Sequence, residues 1–311
     1  MNRKLTSLAL ASLGMLALPT ASYAYVMASS VVEINNFTLT GSSGAQLTAA
    51  DFNFLTFVTS ADQSVSLTGS GGGSDGDTAS SSTGSINFDP ICVGNGCSPI
   101  GNDLFPKLSA PPAAGNYAAA DQYETGSPVA GIPGFASPAD IKQGTYVGID
   151  LGSADGSTSA NNNLNSSFVF ALTQSTGVTF DFDINAWLQV AMTADEDFPG
   201  YATAAASFDV SLISLSGPAL SWNYSTDFFG DGTKTLSLNA PLPFDVEVAL
   251  DATNKHFSAT TPTLNAGQLY QISFRSTSEA DAGRIPEPGI LALLGMGLLG
   301  LGLTRRRKLA A

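Results

Sequence analysis

The run from Val178 to Met192 alternates without a break. Val178, Phe180, Phe182, Ile184, Ala186, Leu188, Val190 and Met192 are apolar, and Thr179, Asp181, Asp183, Asn185, Trp187, Gln189 and Ala191 stand between them. A period of two is the signature of a strand with one buried face and one largely wet face. The segment therefore predicts one long strand, or two collinear ones. Shorter stretches repeat the pattern: Ala206 to Leu212, Leu220 to Tyr224, Phe244 to Leu250 and Tyr270 to Phe274. Val31 to Leu39, Asn53 to Val58, Val65 to Leu67, Thr145 to Leu151 and Phe168 to Leu172 read as further strands.

Turn chemistry separates these runs at Ser216-Gly217-Pro218, Gly230-Asp231-Gly232, Pro241-Leu242-Pro243 and Asn265-Ala266-Gly267. Helical periodicity is absent from the body of the chain, with room for a short turn at Ala49–Asp51 and another at Ser137 to Lys142. Many strands joined by polar turns predict an all-β fold, an antiparallel β-sandwich of jelly-roll-like type, with a closed barrel as the alternative. Two stretches break the pattern. Residues 69–84 are almost entirely Gly, Ser, Asp, Thr and Ala, and read as a flexible hairpin loop that buries too little to order itself. Residues 89–142 hold eight of the sixteen prolines and both cysteines. They read as a long Pro-rich excursion over one sandwich edge, pinned by a disulfide and by Tyr117 and Tyr123.

Both ends of the chain have a different composition. Arg3 and Lys4 precede an apolar run from Leu5 to Leu18, Pro19 ends it, and Ser22-Tyr23-Ala24 supplies a small-x-small site. That order predicts a signal peptide, 1–24, with cleavage between Ala24 and Tyr25 by signal peptidase after Sec export. At the other end, Pro286-Glu287-Pro288 precedes an uncharged Gly/Leu-rich run to Leu303, and Arg305, Arg306, Arg307 and Lys308 follow. As a helix, Gly289 to Leu303 would be about 22 Å long, short for a hydrocarbon core of about 30 Å, and its glycines weaken it further. The four cations form a stop-transfer signal on the cytoplasmic side. A weak C-terminal hydrophobic helix with a firm stop is the design of an address that is read and then removed.

Pro286-Glu287-Pro288, the apolar run and the basic cluster, in that order over residues 286–311, resemble the PEP-CTERM sorting signal of Gram-negative bacteria. The resemblance implies an exosortase as partner, a transient inner-membrane intermediate and a transmembrane segment lost on processing. It also implies delivery to the cell surface or extracellular matrix, and a link with exopolysaccharide and biofilm. The body, residues 25–285, more loosely resembles the EDSAxxS family of exosortase-dependent surface proteins, through Ser30-Val31-Val32-Glu33, Ala49-Ala50-Asp51-Phe52, Ile91-Cys92-Val93-Gly94 and Ala120-Asp121-Gln122. It lacks a Glu-Asp-Ser-Ala string, and that family brings no activity with it.

Charge narrows the partners. Six of the twelve cations and one of the twenty-six acids lie in the terminal signals, so the body keeps six against twenty-five, a formal charge of −19. Such a surface repels phosphate backbones and excludes nucleic acid as a partner. Cys92 and Cys97, in a Gly/Asn turn of an exported chain, predict a small-loop disulfide.

Catalytic chemistry finds few footholds. A Ser-His-Asp site would have to use His256, which sits in a turn-like context without a nucleophile elbow and reads as a lone exposed histidine. A glycoside hydrolase needs only two carboxylates, for which Asp181 and Asp183, or Asp195, Glu196 and Asp197, are candidates. Carboxylates on a wet face ordinarily solubilise. Loop acids at Asp195, Glu196 and Asp197, at Asp227 with Asp231, and at Asp75 with Asp77 are weak candidates for structural calcium; no other metal or cofactor is expected. The reading is therefore an exported, non-enzymatic surface or matrix protein. Its alternatives are a carbohydrate-binding module that uses Trp187 on the wet face, and a glycoside hydrolase. Trp187 covered by the Pro-rich excursion is the competing account of that ring.

Overall fold

The computed structural model describes residues 25–69, 72–82, 85–97, 101–108, 115–150, 156–193, 200–230, 234–239 and 245–284. Fourteen strands lie among them: β1 (Tyr25–Gly41), β2 (Phe52–Leu67), β3 (Gly73–Ser81), β4 (Ile86–Asn87), β5 (Ile91–Gly94), β6 (Tyr117–Thr125) and β7 (Ala139–Asp150). The rest are β8 (Ser157–Leu172), β9 (Val178–Met192), β10 (Gly200–Ser214), β11 (Ser221–Ser225), β12 (Thr235–Asn239), β13 (Val246–Thr260) and β14 (Leu269–Arg284). A single 3-10 turn, Ala49–Asp51, precedes β2, closed by the Asp51 carboxylate accepting from the Thr48 N–H at 2.8 Å and the Thr48 hydroxyl at 2.9 Å.

The strands form two seven-stranded antiparallel sheets packed as a sandwich. Sheet A runs β13-β9-β1-β7-β6-β4, with β5 also on β6. Sheet B runs β11-β10-β14-β8-β2-β3, with β12 also on β10. The alternation decides which face turns inward. Phe180, Phe182, Ile184 and Leu188 of β9 face Phe208, Val210 and Leu212 of β10 and Phe274 of β14 in one core. Phe37 meets Phe274 edge-on at 4.7 Å and Phe182 at 5.7 Å, so aromatic rings fill this half of the sandwich.

The other half of the interior is polar. Ser30, Gln122, Glu124, Gln143, Thr145, Asn162, Ser166, Ser276 and Ser278 are all buried. They bond across and within the sheets: Ser276 donates to Gln143 Oε1 at 2.6 Å and Asn162 Nδ2 to the Asp121 carbonyl at 2.9 Å between sheets, and Gln143 Nε2 to Gln122 Oε1 at 2.9 Å within sheet A. Buried polar atoms are tolerable because they are paired in this way.

The structure corrects the sequence reading in two segments. Residues 73–81, within the expected flexible loop, form β3, paired with β2 from Leu67↔Gly73 to Thr59↔Ser81. An exposed edge strand needs backbone partners rather than buried side chains, and Asp75 and Asp77 place charge on that edge. Residues 89–142 are not one excursion: β5, β6 and the start of β7 lie in it, and β6 is an integral strand of sheet A, paired with β7, β4 and β5. The turn expected at Ser137 to Lys142 is likewise strand from Ala139 onward. The C-terminal helix and the signal peptide lie outside the described residues.

Candidate functional site

The outer face of sheet A carries a second, smaller apolar cluster. Val31, Tyr117, Ala119 and Tyr146 are buried there, with Cys92, Phe105, Leu108 and Trp187 packed against them. Their cover is a strap, residues 101–108, that crosses the sheet face instead of skirting its edge. The Asp103 N–H donates to Asp121 Oδ2 of β6 at 2.8 Å. Phe105 lies over β7 at Gly144, where a Cβ would come within 2.7 Å of its ring and 2.9 Å of the Tyr146 hydroxyl. Lys107 reaches β13, with Nζ 2.6 Å from Asp251 Oδ2 and 4.7 Å from the centroid of Trp187. Gly148 likewise leaves room for Tyr117, whose ring a Cβ there would meet at 2.6 Å.

Beside the end of the strap is a cleft of about 250 Å³. Val31, Phe105 and Trp187 supply its apolar surface, and Glu33, Asn185 and Asp251 its polar rim. Register places them together: Trp187 of β9 sits between Val31 of β1 and Asp251 of β13, and Asn185 opposite Glu33. A bulge lies on either side of β9, between Ile34 and Phe37 in β1 and between Ala252 and Lys255 in β13. Each contains an asparagine at positive φ, Asn36 at 57° and Asn254 at 52°, a conformation that asparagine tolerates better than most residues. The rim is held in place: Asn185 donates to Glu33 Oε2 at 3.1 Å and accepts from the Asn254 N–H at 2.8 Å. Burial works against the Asp251 carboxylate, but hydrogen bonds from Lys107 and Thr253 prevail and hold its pKa below the ordinary value.

Trp187 is accordingly half-buried under the strap, as the competing account held, and its indole N–H has no hydrogen-bond partner among the described residues. Farther along the same face, His256 is not alone. It is paired in register with Asp183, whose Oδ1 lies 3.0 Å from Nδ1, and Asp181 Oδ1 is 4.0 Å from Nε2. Asn36 donates to Asp183 as well, and these two hydrogen bonds lower the Asp183 pKa, that from Asn36 first. His256 and Asp183 are exposed, and the two acids share the histidine.

Cys92 and Cys97 are joined in a disulfide. Asp227 follows β11 and accepts from the Gly230 N–H at 2.8 Å. Asp231, Asp195, Glu196 and Asp197 lie outside the described residues, as do Ala24, Pro286, Glu287, Pro288 and Arg305 to Lys308. Among the described residues, no group of three or more His, Cys, Asp or Glu side chains is arranged to hold a metal ion.

The sequence reading missed two buried acids on opposite faces of β6. Glu124 faces inward and accepts from Ser166 Oγ at 2.5 Å, and Ser166 is 2.9 Å from Thr59 Oγ1. Burial pushes its pKa up to about 7. Asp121 faces outward beneath the strap, and burial raises it to about 6 against the bond from Asp103. The only sequence signal was a pair of acids in a strand-like stretch, Tyr117 to Thr125, whose small alanines gave no strong alternation.

Arg284 ends β14, the last strand of sheet B. Residues 284–308 match the PEP-CTERM protein-sorting motif. The chain carries a PEP-CTERM sorting signal. Such signals mark proteins that an exosortase exports to the cell surface of Gram-negative bacteria, so this PEP-CTERM protein is an exosortase substrate. Its sorting motif starts at Arg284, the last residue of β14. No curated protein and no solved structure matches the chain.

Proposed function

We propose that this exosortase substrate is a non-enzymatic component of the cell surface or extracellular matrix, associated with exopolysaccharide and biofilm. The observation that carries the reading is the sorting motif at residues 284–308, joined directly to the last strand of a large acidic β-sandwich. Removing the tail at the motif would leave β14 and both sheets whole. The N-terminal side supports the same processing. Cleavage after Ala24 frees the first residue of β1, where the Tyr25 nitrogen lies 2.9 Å from Thr193 Oγ1 and the new ammonium keeps a hydrogen-bond acceptor.

The test is the intact mass of the protein recovered from its native host, with and without the exosortase. The expected product starts at Tyr25 and ends near Pro286 only when the exosortase is present, and fractionates with the exopolysaccharide. A product that retains Arg305 to Lys308 in both strains would make the tail a plain anchor and remove the basis of the reading.

A further inference from the structure

We infer that the cleft beside Trp187 is a binding site for a single neutral pyranose unit, such as a chain end or branch of a surface polysaccharide. This deepens the exopolysaccharide association proposed above and names the site that makes the contact. A ligand pocket is concave, largely apolar, and carries a few fixed polar groups. Here the apolar surface is Val31, Phe105 and the indole of Trp187, and the polar groups are Glu33, Asn185 and Asp251. A sugar ring has the matching character, with C–H groups on one face and hydroxyls around its edge. Its C–H face would lie on the indole, and its hydroxyls would meet the carboxylates and the amide. Asn185 is held by Glu33 and Asn254 and Asp251 by Thr253, so little ordering of the rim remains to be done on binding.

Volume and charge choose among saccharides. About 250 Å³ admits one ring rather than a stretch of chain. Glu33 and Asp251 face the cleft against Lys107, with Lys142 ion-paired to Glu33 at 3.7 Å from outside it. The body as a whole is strongly acidic, so uronate or sulfated glycans are repelled on approach. The indole face is also within reach of a polar visitor, because an ammonium already occupies it. Lys107 Nζ lies 4.7 Å above the ring on a half-exposed, flexible side chain. A sugar ring on the indole would take the place of this exposed ammonium on the ring face, while the lysine stays within reach of Asp251.

The experiment applies the exported protein, purified from its host, to an array of neutral and acidic glycans. Binding should appear on neutral glycans with accessible terminal pyranose rings. Trp187→Ala should weaken it by more than about tenfold, as removal of a central aromatic contact does, and Trp187→Phe should retain most of it. Asn185→Ala tests the rim independently and decides the matter if Trp187→Ala does not fold. Absence of neutral-glycan binding, binding confined to acidic glycans, or binding unchanged in both alanine variants would each overturn the inference. Such a failure, with matrix association intact, would leave the proposed function standing. Loss of exosortase-dependent sorting would sink that reading and leave the cleft untouched.

Discussion

Glu124 is the most informative residue to perturb. It is buried between the sheets, its carboxylate meets Ser166, and burial raises its pKa from 4.5 to about 7. In the unfolded chain it loses its proton near 4.5, whereas in the sandwich it keeps it until about 7. The folded state therefore binds more protons across that window, and stability falls as pH rises through it. Below 4.5 the acid is neutral in both states and costs nothing. Above 7 the whole difference applies, and at about 1.4 kcal/mol per tenfold of proton affinity it amounts to about 3 kcal/mol. Glu124→Gln keeps the shape, remains neutral and can still accept from Ser166. The variant should match the wild type at about pH 3.5 and exceed its stability by about 3 kcal/mol at pH 8, in urea unfolding followed by tryptophan fluorescence. A wild-type-minus-variant difference that does not change with pH would refute the argument. Asp121 contributes with the same sign between its ordinary value of 3.8 and about 6, so the double variant with Asp121→Asn should lose a further part of the fall in stability over that range.

Three other outcomes follow from packing and chain connectivity. Phe274→Ala removes the ring that meets Phe37, Phe168, Phe180 and Phe208, and should cost about 3–5 kcal/mol by denaturant unfolding. Opening the Cys92–Cys97 loop with serine at both positions should cost about 2 kcal/mol, since so short a loop restricts the unfolded chain only modestly; a thermal melt measures it. Gly94→Ala would set a Cβ 2.1 Å from the Asn116 carbonyl oxygen, at a φ of 107°, and should destabilise the β5 edge by at least about 2 kcal/mol, read as faster amide exchange in β5 and β6.

Much of the architecture was legible because its strongest strands carry the pattern that makes them strands. β9 begins and ends where the alternation does, at Val178 and Met192. The inner residues of β1, β10 and β13 follow the same rule, and the sorting signal is a linear motif that needs no fold to be recognised. Legibility ended where the inner face ceased to be apolar. The reading of β14 stopped at Phe274, yet the strand continues to Arg284 with Ser276, Ser278, Ala280 and Ala282 pointing inward. Likewise β8 was visible only from Phe168, and its earlier residues, among them Asn162 and Ser166, are equally buried.

The chain by itself determined that it would be exported, that it would form an antiparallel sandwich and that its cysteines would pair. Each of these follows from local order along the sequence: charge beside apolar run, period of two, two thiols in one turn. Only the tertiary structure decided that serines and glutamines would fill half the interior, because their burial is tolerable only once partners from a neighbouring strand or the opposite sheet satisfy them. It also decided that a Gly/Ser stretch would become β3, which gains its order from the edge of β2. The cleft has the same origin. Trp187, Val31 and Asp251 are neighbours because three strands align in register, and Phe105 and Lys107 join them because glycines in β7 let the strap settle onto the sheet.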